Sequence, residues 1–153
     1  MFSFNYLSLL CESLPKGQSS IRRGKILFAI SFRTRSYPFL LKIHNLFYKK
    51  INDNWVKYIS NDLIFFLSPR VLAFWFMDDG AKAGTSVYLH TKGFTLVDVY
   101  KLAGMLHYKF GLNVTVQIHD NRPVIYIKAK SFQLFKSLVM PHMHSSMYYK
   151  LGM

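Results

Sequence analysis

Apolar and polar positions recur with a clear period along most of the chain beyond residue 25. The run Ile26-Leu27-Phe28-Ala29-Ile30-Ser31-Phe32-Arg33 is rich in aromatic and aliphatic residues and predicts a strand over 25–34. Ser36-Tyr37-Pro38 predicts a helix to about Phe47, with Ser36 as N-cap and Pro38 in its first turn. Residues 49–67 read as a basic, Asn-containing connector that ends in Leu63-Ile64-Phe65-Phe66-Leu67. Ser68-Pro69 couples an N-cap hydroxyl to a proline at the first helical position, so a helix is expected over 69–79, with Gly80 as a left-handed stop. A turn over 81–85 and a strand over 86–91 follow. Thr95-Leu96-Val97-Asp98 opens a helix that runs to Phe110 and stops at Gly111. Val114, Val116 and Ile118 then alternate with Thr115, Gln117 and His119, Asp120-Asn121-Arg122-Pro123 makes a turn, and 124–128 return as a strand. Ser131 is expected to cap a last helix to about Val139, which Pro141 breaks. Residues 1–23, with Glu12, Pro15, Lys16 and Gly17, show no period and are expected to be a poorly ordered lead-in.

From Ser68 the order is helix, two strands, helix, two strands, helix. Each hairpin has an apolar face that must pack on helices and a polar or basic face left open, which predicts an α+β unit with an exposed antiparallel sheet. Ile30-Ser31-Phe32-Arg33-Thr34-Arg35-Ser36-Tyr37 also parallels Ile125-Tyr126-Ile127-Lys128-Ala129-Lys130-Ser131-Phe132. Both are a strand with two basic residues one apart, then a serine and an aromatic entering a helix. The expected division is therefore a lead-in over 1–23, the C-terminal part of an incomplete first repeat plus connector over 24–67, and a complete repeat over 68–153.

Lys and Arg number 20 against 7 Asp and Glu, a formal charge of +13. Such an imbalance is a self-repulsion that a polyanionic partner relieves, with nucleic acid first and an anionic membrane surface second. Cys11 is the single cysteine, which excludes an intramolecular disulfide and a cysteine-rich zinc site. The most apolar stretch, 63–77, is cut by Ser68, Pro69 and Arg70 and is too short to span a bilayer. The N-terminus has neither the basic leader of a secretory signal nor the Arg-rich look of an import sequence. Synthesis inside an organelle is the expectation, and a composition rich in Phe, Tyr, Lys and Ile fits an AT-rich organellar genome.

Asp78 and Asp79 are adjacent like charges at a helix C-terminus, where the helix dipole disfavours them, and a divalent cation would offset both penalties. Leu72-Ala73-Phe74-Trp75-Phe76-Met77-Asp78-Asp79-Gly80 resembles the motif that names the LAGLIDADG homing endonucleases, in the variant form of their second repeats. The resemblance continues through Tyr88-Leu89-His90-Thr91-Lys92-Gly93-Phe94-Thr95, through 125–132 and through Pro141 to Leu151. It implies the αββαββα fold with a DNA-facing sheet. It implies that Asp79 is the catalytic acid and binds a divalent metal, Mg²⁺, with Asp78 assisting through its main-chain carbonyl. It makes Lys150 a catalytic candidate for steadying transition-state charge. Phe74 and Trp75 depart from the small residues of the name-giving motif and leave Ala73 as the small contact residue for a partner helix.

A β-ribbon fits the major groove of DNA. The outward residues expected to bind are Tyr88, His90 and Lys92, then Thr115, Gln117, His119, Arg122, Tyr126, Lys128 and Lys130, with Ser86 beside them and Arg33 and Arg35 from the partial repeat. Gln and Arg suit base edges, and Lys suits phosphates. The functional expectation is an intron-encoded, metal-dependent endonuclease that makes double-strand cuts at a long DNA site. The alternatives are an intron-RNA maturase or other non-cleaving module of the same fold, and a truncated remnant. Cutting both strands needs a second acidic motif, from a homodimer mate or from a missing N-terminal segment. The expected compartment is an organelle, the mitochondrion before the chloroplast.

Overall fold

The computed structural model describes residues 2–153, and the chain divides into two compact units, Met1–Leu41 and Lys42–Met153. In the first, α1 (Phe2–Leu7) and a 3₁₀ turn lead into a hairpin of β1 (Lys16–Arg22) and β2 (Lys25–Ser31). The structure corrects the expectation of a lead-in without order over residues 1–23: Lys16 to Arg22 pair antiparallel with Ser31 back to Lys25. Arg23 and Gly24 turn the chain with φ of 51° and 74°, the left-handed pair that suits a tight hairpin. Every residue of β1 is exposed, so no inward face imposes an apolar alternation. The edge-to-face pair of Phe4 and Phe32 and the bonds Glu12 N–H to Arg33 O (2.9 Å) and Arg35 N–H to Leu10 O (2.8 Å) close the unit.

α2 (Pro38–Phe47) runs across the division, starting two residues after the expected serine cap. The second unit continues with β3 (Tyr48–Ile51), β4 (Asn54–Lys57) and α3 (Leu63–Phe66), so the expected connector contains a second hairpin. Asn52 and Asp53 take φ of 45° and 64°, which these two residue types tolerate without glycine. Then come α4 (Pro69–Asp79), β5 (Gly80–Ala83), β6 (Ser86–His90), α5 (Leu96–Phe110), β7 (Val114–His119), β8 (Arg122–Ile127) and α6 (Phe132–Val139), with 3₁₀ turns over Ala129–Ser131, Met140–His142 and Ser145–Leu151. The expected αββαββα order is present. Its strands form one antiparallel sheet in the order β5-β6-β8-β7.

Local cap chemistry sets the helices. Ser68 Oγ accepts from Val71 N–H at 3.2 Å with Pro69 in the first turn of α4. Thr95 Oγ accepts from Asp98 N–H at 3.2 Å and donates to Asp98 Oδ2 at 2.7 Å, and Gly111 ends α5 in the left-handed conformation. Ser131 differs from expectation: its hydroxyl accepts from Asn113 N–H (2.8 Å) and Nδ2 (3.2 Å), tying the start of β7 to α6 rather than capping the helix. The core lies between the helices and one face of the sheet. Val87, Leu89, Ile125 and Ile127 from the sheet are fully buried, as are Leu72 and Phe76 of α4, Val99 and Leu106 of α5 and Phe135 of α6. The rings of Phe76 and Phe135 meet edge to face at 5.1 Å.

Candidate functional site

The acidic end of α4 runs directly into the sheet. Gly80 differs from the expected left-handed stop: its φ of −91° and ψ of 150° are extended, and it is the first residue of β5. The glycine is required by space. A Cβ there would run into the Phe76 ring and lie 2.5 Å from the Phe76 carbonyl oxygen. The expected turn over 81–85 shrinks accordingly to Gly84 and Thr85, because Ala81, Lys82 and Ala83 pair with β6. Asp78 and Asp79 are exposed, and among the described residues neither carboxylate has a hydrogen-bond or ion-pair partner. Among those residues, no cluster of three or more His, Cys, Asp or Glu side chains could hold a metal ion by itself.

The Lys150 ammonium faces the same helix end. Its Nζ donates to Met77 O at 2.6 Å and lies within 3.4 Å of the carbonyl oxygens of Phe76, Asp78 and Gly80. A cation at a helix C-terminus is favoured by the dipole and satisfies the Met77 and Asp78 carbonyls of the last turn, while Phe76 O also accepts from Gly80 N–H. Two residues that the sequence singled out separately are thus brought together, and the lysine holds the backbone from which the acids project.

On the open face of the sheet, pairing aligns side chains into rows. Tyr88, Tyr126 and Thr115 form one row, and His90, Val124 and Gln117 the next. Tyr88 O–H donates to Gln117 Oε1 at 3.1 Å, and its ring lies 4.4 Å from that of His119 and 5.0 Å from that of Tyr126. The amide N–H₂ of Gln117 is left as a donor. His90 is half-buried, and its carbonyl accepts from Trp75 Nε1 at 3.4 Å, which links the sheet to α4. Arg122 is exposed at the β7–β8 turn, Lys92 lies exposed after β6, and Lys128 and Lys130 lie exposed after β8. Arg33 and Arg35 are exposed in the first unit. Ser86, expected to point outward to solvent, is buried and accepts from Tyr126 O–H at 2.7 Å. Tyr126→Phe is therefore expected to lower stability by about 1 kcal/mol. Urea unfolding measures it, and a variant as stable as the parent would mean that Ser86 finds another donor.

No Asp or Glu occurs in β5, β6, β7 or β8. The open face therefore carries hydroxyl, amide, imidazole and guanidinium groups beside two unpartnered carboxylates, a composition suited to a polyanion with a cation at one edge.

Comparison with known proteins agrees with this reading. A model of the LAGLIDADG DNA endonuclease family matches residues 1–135. The chain is 40% identical over 107 residues to the probable intron-encoded endonuclease 1 of Wickerhamomyces canadensis, covering 65% of this chain and 46% of the relative. It is 35% identical over 145 residues to the cytochrome b mRNA maturase bI2 of Debaryomyces hansenii, covering 92% of this chain and 53% of that one. The structure matches that of the homing endonuclease I-WcaI bound to its DNA recognition sequence, with a TM-score of 0.85 and 31% identity over 97% of this chain and 68% of the other. The chain thus spans about half the length of these two curated relatives. On the extent of the family match and the shared αββαββα architecture, the chain belongs to the LAGLIDADG DNA endonuclease family.

Proposed function

We propose that this chain is the recognition and acid-bearing part of an intron-encoded endonuclease that hydrolyses both strands of a long DNA site. The observation that carries the reading is the pair of unpartnered carboxylates at the end of α4, joined without a linker to an acid-free sheet face. The likeness to a DNA-bound homing endonuclease supports it.

Within this proposal Asp79 holds a divalent metal, Mg²⁺, and Asp78 contributes its main-chain carbonyl. The donor set fits: carboxylates are hard oxygen ligands, and Mg²⁺ commonly takes one or two of them and completes its shell with water and phosphate oxygens. When bound, such an ion supplies charge neutralisation at the phosphate and a more acidic water. The chain's own residues position and bind. Lys150 fixes the carbonyls of the last turn of α4. Gln117, Arg122, Thr115, His119, Tyr88, His90 and Tyr126 face the bases, while Lys92, Lys128, Lys130, Arg33 and Arg35 meet phosphates. The second acid set comes from a homodimer mate or from a segment carrying a first motif. Double-strand cleavage by the self-associated chain would favour the former, and cleavage that appears only on adding a chain with such a motif would favour the latter. We place the protein in an organelle, the mitochondrion before the chloroplast, on the likeness to a cytochrome b mRNA maturase. That likeness also supports a second reading, intron-RNA binding in splicing.

Duplex affinity is expected to fall steeply with salt as counterions are released. Gln117→Ala and Arg122→Ala are each expected to weaken binding to the target by about 1–3 kcal/mol without loss of fold. Fluorescence anisotropy across a salt series measures both. Affinity indifferent to salt would end the proposal, and normal affinity in both variants would turn the sheet towards another partner.

A further inference from the structure

Tyr88 and Gln117 reach each other across a whole strand. Tyr88 lies on β6 and Gln117 on β7, with β8 between them, and the pairing sets Tyr88 beside Tyr126 and Gln117 beside Val124. The phenol O–H nevertheless meets Gln117 Oε1 at 3.1 Å. The Tyr88 ring is packed against two others, those of Tyr126 and His119, and Tyr126 is itself tied to Ser86 through its hydroxyl. Val124 belongs to the open face and yet keeps only 2% of its surface, as expected beneath a bridge that passes over β8. Among the described residues, neither the Tyr88 hydroxyl nor the Gln117 amide has another hydrogen-bond partner.

A free glutamine amide can turn either way. It can offer N–H and C=O together, the pattern that pairs with adenine N6 and N7, or it can offer N–H alone. In this chain the amide oxygen faces the phenol. A phenol gives a hydrogen bond more readily than it accepts one, because its lone pair is shared with the ring. The carbonyl therefore takes the bond, and the N–H₂ is turned to the open side.

We infer that Tyr88 is a positioning residue that sets the base preference of Gln117. With its oxygen held, the amide presents donors alone and selects a base edge made of acceptors, guanine N7 and O6 first and thymine O4 next, over adenine. The inference rests on the proposed reading of bases by the sheet and assigns the preference at one position within it.

The test selects the full chain against a library of randomised DNA duplexes and compares the sequences recovered by the parent, Gln117→Ala and Tyr88→Phe. The position whose preference is lost in Gln117→Ala is the one that Gln117 reads. There the parent is expected to favour guanine over adenine about tenfold, within the range of a good side-chain contact. Tyr88→Phe keeps the ring and frees the amide oxygen, so that ratio should fall about tenfold as adenine becomes acceptable at this position alone. Melting of the variant should stay close to that of the parent. A purely structural role for Tyr88 would instead weaken binding to all sequences alike and leave the preference where it was. Adenine favoured by the parent, or a preference unmoved in Tyr88→Phe, overturns the inference and leaves base reading by Gln117 in place. A Gln117→Ala variant that recovers the same sequences as the parent overturns both.

Discussion

Asp79→Asn is expected to reduce Mg²⁺-dependent cleavage by more than about 100-fold, beyond the loss usual for a group that only supports a metal ligand. The amide keeps the size of the side chain and loses the charge that attracts the cation. Binding to duplex DNA should be unchanged or tighter, because one negative charge facing phosphate has gone. The fold should be at least as stable, since a helix C-terminus disfavours a carboxylate. Asp78→Asn separates the two acids: if the neighbour serves through its main-chain carbonyl, this variant keeps most of the activity. The measurement is plasmid linearisation by whichever assembly cuts DNA, with and without chelator, beside thermal melting of the chain. Cleavage that survives in Asp79→Asn would refute the metal assignment, whatever the family membership.

Lys150→Met is expected to destabilise the chain by about 3 kcal/mol, because charge-assisted bonds to several helix-end carbonyls are removed together with a favourable dipole interaction. Methionine keeps much of the aliphatic stem, so the loss measures the ammonium rather than packing. Cleavage should fall as well, through looser placement of Asp79. Lys150→Arg should recover part of the stability. Denaturant unfolding distinguishes this positioning role from direct action on the reacting phosphate. A Lys150→Met variant with parental stability and no cleavage would place the ammonium on the substrate instead of on the backbone.

Much of the fold was legible in the sequence because its signals are local. Ser68 with Pro69 and Thr95 with Asp98 cap helices by contacts three residues away, and Gly111 stops α5 by its own backbone freedom. The two missed hairpins lack the usual signals. β1 is exposed throughout, so its residues never had to alternate, and the β3–β4 turn uses Asn52 and Asp53 in place of glycine. At Gly80 the local rule for a helix stop pointed to a left-handed residue, whereas pairing with Leu89 of β6 holds it extended and the crowding of Phe76 requires a glycine there. The proposed role of Asp79 rests on its motif. The engagement of Lys150 could not be read from the sequence, because the carbonyls it meets lie about seventy positions away in the chain. The alternation of β7 brings Gln117 and His119 beside Tyr88 as expected, but Ile118, expected on the apolar inward face, is 56% exposed near the end of the strand. Ser86 lies on the same face as Tyr88, as alternation predicts, but is buried there because Tyr126 covers it from a neighbouring strand.

The junction between Asp79 and Gly80 has no slack, since helix gives way to paired strand within one residue. The acid therefore stands in constant phase with the rows of the sheet. Exposed side chains along β6, β7 and β8 can be exchanged without altering that phase. A single inserted residue at the junction, by contrast, would advance β5 by about 3.3 Å and invert its faces against β6. If the sheet reads bases as proposed, the spacing between a contacted base and the acid would thus be a property of the backbone.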